Sequence, residues 1–497
     1  MREPDSDDFP PAGACAAHAP VRLNAVAVTN GFLPRPLGAD FAWADFSCGN
    51  GENAAVIAAA YPQARCFAAG GPGSRGRALA EAAGLANLEW LSGAVAEIAE
   101  AALLPLDFAV FDGGLAGLAT AERESTLARI ARAVKPGGIL LLGYHALPGF
   151  AAMMPLRDVL NSVTARRSGS PTARLRAALD WLAQADRAEE GFFADHAALR
   201  RRVRAYAEIA EETAAAELFS PTLTPFHFAQ VNASMAAEGF TFAGNAAMRL
   251  NMLDLALPAA VRPLVKRARS RIEFETLRDA LSGPAYRRDV YVRGAPVDGE
   301  AAFWAQHDAL LVGLAVGDGD GGDGCGVDAE AFPFPLLREA LAAGPCRVGG
   351  IPGLIPEIAR DAVRVGLAAG MLIPFARAEA EPAAPQGDAL RVPLALNRAL
   401  LSDAFAHPAP TPLVSPVAGC ALPVTAETAL ALAAIAETGC GFAEAEAAVI
   451  ARLLAAANGR GGSAAGRAAI AALARKGLSG LTPQRLAAWA RLGIVSG

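Results

Sequence analysis

No run in the 497 residues is long and apolar enough to cross a membrane. The nearest, 139–156, is interrupted by Tyr144, His145, Pro148, Gly149 and Pro155 and reads as a buried strand followed by a loop. Basic residues are scarce: 44 Lys and Arg against 50 Asp and Glu leave a formal net charge of -6. A nucleic-acid binder concentrates cations to displace counterions from phosphates, so neither a nucleic-acid nor a membrane partner is expected. The tightest basic run, Lys266, Arg267, Arg269 and Arg271, reads as the solvated face of a helix. The seven cysteines form no C-x-x-C pair, which argues against a zinc site and a disulfide framework and fits a reducing compartment. The first twenty residues lack the basic start and apolar core of a signal peptide, so a disordered tail on a cytoplasmic protein is expected.

What is present is a globular composition, 53% apolar and 19% charged, on a chain too long for one core. From residue 41, short apolar runs alternate with helical stretches: 41–46, 52–60, 65–69, 75–83, 88–91, 108–111, 122–133 and 139–143. That alternation predicts strand-helix-strand units and a doubly wound parallel sheet. After Pro155 the strand signals stop, and Ala- and Arg-rich sequence with helical spacing runs to 216. Aromatic and branched runs then return at 226–228, 240–242 and 290–292.

The expected division is a tail at 1–20, an α/β Rossmann-like domain at 21–155, a helical insert at 156–216, and a small α+β domain at 217–294. A linker at 295–330 and winged-helix-like modules at 331–424 and 425–497 follow. The linker contains the Gly/Asp tract 318–323; an EF-hand would need a closing Glu that does not fall at the required place.

The segment most informative about chemistry is WADFSCGNGENAAVIAAAYP, beginning at Trp43. It places a strand ending at Phe46, a turn through Ser47, Cys48, Gly49, Asn50 and Gly51, and a helix from Glu52. Such a turn lets a nucleoside-bearing ligand approach the backbone, although a tight β-α turn without a ligand explains it too. LDFAVFDGG from Leu106 and VKPGGILLLGY from Val134 supply a further strand, and a Pro-Gly-Gly turn into the next.

Together these motifs resemble the class I S-adenosylmethionine-dependent methyltransferases. The match runs through Asp45, Cys48, Gly49 and Gly51 in the first loop and Lys135, Pro136, Gly137 and Gly138 before the fifth strand. YHALPGF from Tyr144, LTPFHFAQVNASMAAEGFTFAGNA from Leu223 and YRRDVYVRG from Tyr286 narrow the resemblance. They point to bacterial methyltransferases with a methyltransferase regulatory domain, a group that includes the rickettsial-type protein-lysine methyltransferases. The resemblance implies S-adenosylmethionine (AdoMet) as cofactor, held by Asp45, Cys48, Gly49 and Gly51, and a protein side chain, lysine, as acceptor. A homodimer formed through the helical insert fits the same reading.

Three departures fall on the site. Where the ribose-binding acid should stand, about 20 residues past the loop, the sequence reads Ala69, Gly70, Gly71, Pro72, Gly73. Losing hydrogen bonds to a charged carboxylate costs roughly 1.5–3 kcal/mol, tenfold or more in affinity. Ser47 replaces the first glycine, and Asp112, Gly113, Gly114, Leu115, Ala116 and Gly117 replace the family's His-Gly-x-Tyr-Ser-Trp. Either Glu52, Glu97 or Asp112 stands in for the missing group, or the domain is a catalytically degenerate scaffold.

Asp112, at the end of the fourth strand, lies where open α/β sheets bind ligands, although a turn role beside Gly113 fits equally. Tyr144 and His145, just after the fifth strand, are the acceptor-side candidates. His145 suits a general base, or a loop histidine serving a backbone carbonyl. Asp107 reads as structural. The strand 286–293, with its charges on one side, reads as a docking strand or as a solvated edge.

Overall fold

The computed structural model describes residues 14–496 except 100–101, 103–104, 166–170, 189–196, 207–208, 210, 316–326, 379–389, 406–408, 440–444 and 457–463. The Gly/Asp tract at 318–323 lies outside the described residues. Among those described, no helix is long and apolar enough to cross a membrane.

Helix α1 (Pro20–Thr29) precedes the alternating units: β1 (Ala42–Asp45), α2 (Glu52–Ala60), β2 (Arg65–Ala68), α3 (Ser74–Ala83), β3 (Leu88–Trp90), β4 (Leu106–Asp112), α4 (Thr120–Ala133) and β5 (Val134–His145). Helices α5 (Met153–Thr164), α6 (Pro171–Ala188), α7 (Ala197–Ala205) and α8 (Glu211–Phe219) form the expected helical stretch. Then come α9 (Phe228–Ala237), β6 (Thr241–Asn245), α10 (Leu253–Ala256), α11 (Arg262–Val265), α12 (Arg271–Ser282) and β7 (Tyr286–Val292).

Seven strands make one sheet in the order β3-β2-β1-β4-β5-β7-β6. Neighbours from β3 to β5 are parallel, and β7 runs antiparallel to both β5 and β6. The sheet is covered on both faces, which is why β4 is buried along its whole length and reads as an apolar run over 108–111. Strand alternation sends Trp43, Phe108, Val110 and Leu141 to the face packed by α1 and α2. Ala44, Phe111, Leu140 and Leu142 go to the opposite face, with α4 and the insert helices.

Residues 217–294 do not stand apart from the sheet, because β6 and β7 are two of its seven strands. Strand β7 is also not an edge: it lies between β5 and β6, and all seven of its residues are buried. Its charges are paired internally. Arg287 binds Asp289 on its own strand and Glu275 and Asp279 on α12, while Arg278 binds Glu275 and Asp279. Helix α12 starts at Ser270, whose side chain accepts the Glu273 amide, and ends at left-handed Gly283, so its register against β7 is fixed at both ends.

Farther on, α13 (Glu300–Ala309) and β8 (Leu311–Leu314) lie inside the stretch expected as a linker. α14 (Phe334–Leu341), β9 (Cys346–Arg347), α15 (Pro356–Ala369) and β10 (Leu372–Pro374) follow, and β8 pairs antiparallel with β9 and β10. Helix α16 (Ala395–Asp403), the hairpin β11 (Thr411–Ser415) and β12 (Cys420–Val424), and helices α17 (Ala426–Thr438), α18 (Ala445–Ala456), α19 (Ala464–Ser479) and α20 (Pro483–Arg491) complete the chain. These last elements share a core with the sheet: Leu413, Leu422, Ile435 and Trp489 belong to the cluster that holds Val26, Val56 and Ile57.

Candidate functional site

The carboxyl ends of β1, β2 and β4 bring together the glycine turn, the 69–76 loop and Asp112. Gly49 and Gly51 both adopt positive φ, at 52° and 81°, which explains glycine at these two positions. The space around Gly51 is filled by the chain itself, whereas a Cβ on Gly49 would meet nothing within 4 Å. A Cβ on Gly71 would sit 2.4 Å from the Gly49 carbonyl oxygen, one on Gly76 2.1 Å from that of Gly51, and one on Gly51 2.6 Å from the Trp90 ring. The two loops are also bonded directly: Cys48 N–H donates to Ala69 O, Gly73 N–H to Gly49 O and Gly76 N–H to Asn50 O, at 2.8–3.0 Å. Ser47 N–H donates to Asp45 Oδ1, Gly51 N–H to Cys48 O and Glu52 N–H to Asn50 Oδ1.

The amides of Ser47, Cys48, Gly51 and Glu52 are bonded within the chain, and the end of β2 offers no carboxylate. Glu52 accepts from Ala14 N–H and pairs with Arg75, which also binds Asp403 at the end of α16. Glu97 is exposed. Asp112 is taken as described below. Burial raises the Asp45 carboxyl, and burial with the Asp45 charge pushes the Cys48 thiol up to about 12, so Cys48 is a neutral packing group.

Asp112 is buried and fully engaged. Oδ1 accepts from Tyr286 Oη at 2.6 Å, and Oδ2 lies 2.7 Å from both Arg288 Nε and His18 Nε2. Burial opposes its ionisation, but Arg288, His18 and Tyr286 hold it well below the usual carboxylate range. Gly143 of β5 makes room for this cluster, since a Cβ there would fall 1.8 Å from Asp112 Oδ1.

His18 comes from the expected tail, whose residues 14–19 fold back over the site. Ala14 and Cys15 N–H donate to Glu52 and Asn53, Trp43 Nε1 donates to His18 O, and His18 Nδ1 lies 2.9 Å from Asn53 Nδ2. Sequence reasoning missed His18 and Cys15. A signal was there: Pro20 at the first helical turn, followed by the apolar run of α1, fixes where the tail ends and the helix begins.

Tyr144 and His145 point to different partners. Tyr144 Oη donates to Asp289 Oδ2 at 2.6 Å, within the buried charge network of β7. His145 is buried against Phe150 and Tyr286, with Nε2 3.4 Å from Glu217 Oε2. Glu217 also binds Arg202 and Tyr206; burial opposes its charge, but Arg202 and His145 lower it to about 2. Asp107 is structural as expected, binding Arg35, Lys135 and the Ala42 amide.

Comparison with known proteins agrees with the fold. PKMT2 from Rickettsia typhi superposes on 98% of this chain and 100% of its own, with a TM-score of 0.71 at 13% identity. The fold is that of the class I methyltransferases. The same rickettsial protein in complex with AdoHcy matches 89% of this chain and 91% of its own, with a TM-score of 0.67 at 14% identity. Residues 212–293 match the family model described as a predicted methyltransferase regulatory domain. An uncharacterised Synechocystis protein is 26% identical over 280 residues, and the chain spans about half the length, 55%, of this curated relative. The methyltransferase regulatory segment thus includes α9, α12, β6 and β7, the elements that finish the sheet.

Proposed function

We propose that this chain is a methyltransferase-fold protein that has given up AdoMet chemistry and serves as a binding or regulatory scaffold for another protein. The observation that carries this reading is the closure of the glycine turn: Gly71, Gly76 and Trp90 occupy the space beside Gly49 and Gly51, and the loop amides are bonded to the chain. Asp112, the acid left at the sheet's carboxyl edge, is engaged by His18, Arg288 and Tyr286. Homodimerisation through the helical insert belongs to the same proposal.

Methyl transfer from AdoMet to a protein lysine is the second reading. It is favoured by the fold shared with the AdoHcy complex of the rickettsial protein, and by Gly49, whose Cβ direction meets nothing within 4 Å. Incubation with methyl-labelled AdoMet and a panel of lysine-bearing proteins separates the two. The scaffold reading predicts no label on any protein; label that disappears in Gly49→Arg would establish the second.

A further inference from the structure

In the methyltransferase regulatory segment, Arg262 pairs with Asp254, Arg271 with Glu275, and Arg278 and Arg287 with the buried acids of α12 and β7. Lys266, Arg267 and Arg269 have no acidic partner among the described residues. All three are exposed. They do not line one helix face, as the sequence suggested: Lys266 caps α11, Arg267 and Arg269 stand in the turn that follows, and Arg271 opens α12. The acids beside the turn are engaged elsewhere. The Glu273 carboxylate accepts the Arg269 N–H, Asp254 pairs with Arg262, and buried Glu275 pairs with Arg271.

The turn is also held in one shape. Val265 is fully buried beneath it, Arg262 donates to the Leu257 and Asp254 carbonyls, and Ser270 Oγ accepts the Glu273 amide. The Arg271 guanidinium lies over the Phe242 and Phe274 rings at 5.3 and 5.6 Å. Two aliphatic side chains flank the cations, Leu264 at 47% exposure and Ile272 at 44%. A surface ordered in advance loses less freedom on binding, and clustered cations recognise acidic peptide motifs.

We propose that the α11–α12 turn docks an acidic segment of another protein, whose carboxylates meet Lys266, Arg267 and Arg269 and whose aliphatic side chains meet Leu264 and Ile272. This rests on the scaffold reading and adds to it the surface and the partner's chemistry. Charge complementarity selects the occupant: the chain as a whole carries -6, so this patch is where an acidic segment is attracted rather than repelled. A membrane fits less well, because Val265 is turned inward and Phe274 lies under Arg271, leaving two aliphatic side chains for the lipid. Three unpaired cations on an acidic chain neutralise too few phosphates to hold a nucleic acid.

The test is fluorescence anisotropy of the full chain with a fluorescein-labelled peptide, Glu-Glu-Leu-Glu-Glu-Ile-Glu-Glu, against the same peptide with Gln in place of Glu. The acidic peptide should bind at least about tenfold more tightly, and less tightly as salt rises. The triple variant Lys266→Glu, Arg267→Glu, Arg269→Glu should lose that preference, and Leu264→Ser with Ile272→Ser should weaken binding at least about threefold. Arg176→Glu, an exposed cation on α6, should leave it unchanged. Should the triple variant not fold, the single Lys266→Gln, Arg267→Gln and Arg269→Gln changes decide, each lowering affinity. Equal binding of the two peptides, or a preference that survives in the variants, would overturn the proposal. So would tighter binding of phosphatidylserine vesicles or of a DNA duplex, or a dimer of this chain that the triple variant dissociates. Methyl label on a protein would overturn the scaffold reading alone and leave the peptide result as it stands.

Discussion

Arg287 gives the sharpest stability test, because β7 joins the regulatory segment to the sheet. Three buried carboxylates, Glu275, Asp279 and Asp289, face two buried guanidiniums, Arg278 and Arg287. Arg287→Met keeps most of the apolar stem against Phe228, over which the guanidinium lies at 4.5 Å, and leaves three acids with buried Arg278 and the exposed Arg271 at Glu275. Breaking a buried pair from one side costs about 3–5 kcal/mol. If β6 and β7 open as one unit, their amides should exchange hydrogen on the order of 10²- to 10³-fold faster, at about 1.4 kcal/mol per decade.

The loss should also carry a pH signature. Burial raises the Asp289 carboxyl and Arg287 opposes that rise, so removing Arg287 raises it further. A folded carboxyl above its unfolded value binds more protons than the unfolded chain. Stability is therefore regained as the pH falls from 7 towards 5, and the gap between variant and wild type narrows. Hydrogen exchange by mass spectrometry at the two pH values reads both effects. Unchanged β7 protection in the variant would refute the assignment of this network as the clamp between α12 and the sheet.

Two further predictions concern the site. His18 is raised to about 10 from 6.5, so its contribution is full below pH 6.5 and is lost as the pH climbs towards 10. Melting temperature should fall across that window in the wild type and show a flatter profile in His18→Asn. Gly76→Ala drives a methyl into the Gly51 carbonyl, a rigid backbone contact. Overpacking of this kind costs about 1–3 kcal/mol, and a shift of the urea midpoint to lower concentration checks it; an unchanged midpoint would mean that the loops are not closed on each other.

The strand-helix alternation was legible because buried parallel strands leave continuous apolar runs, and α2 begins and ends where the pattern places it. The glycine turn was legible as a turn, and its missing acid as a departure. What fills the crevice was not, because backbone packing of Gly71 and Gly76 on Gly49 and Gly51 leaves no signature beyond the glycines themselves. The 14–18 segment was read as tail because its composition is that of one; its order comes from long-range bonds to Glu52, Asn53 and Asp112. Strand β7 was read as a possible edge because alternating charges usually face water, whereas here the partners arrive from α12 and β4, distant in sequence.

The most direct test of the closed crevice is calorimetric titration of the folded protein with AdoMet and with AdoHcy. The account predicts no heat of binding up to millimolar ligand. Micromolar binding that weakens in Gly49→Arg, a change whose side chain starts in open space, would contradict it and restore the cofactor site.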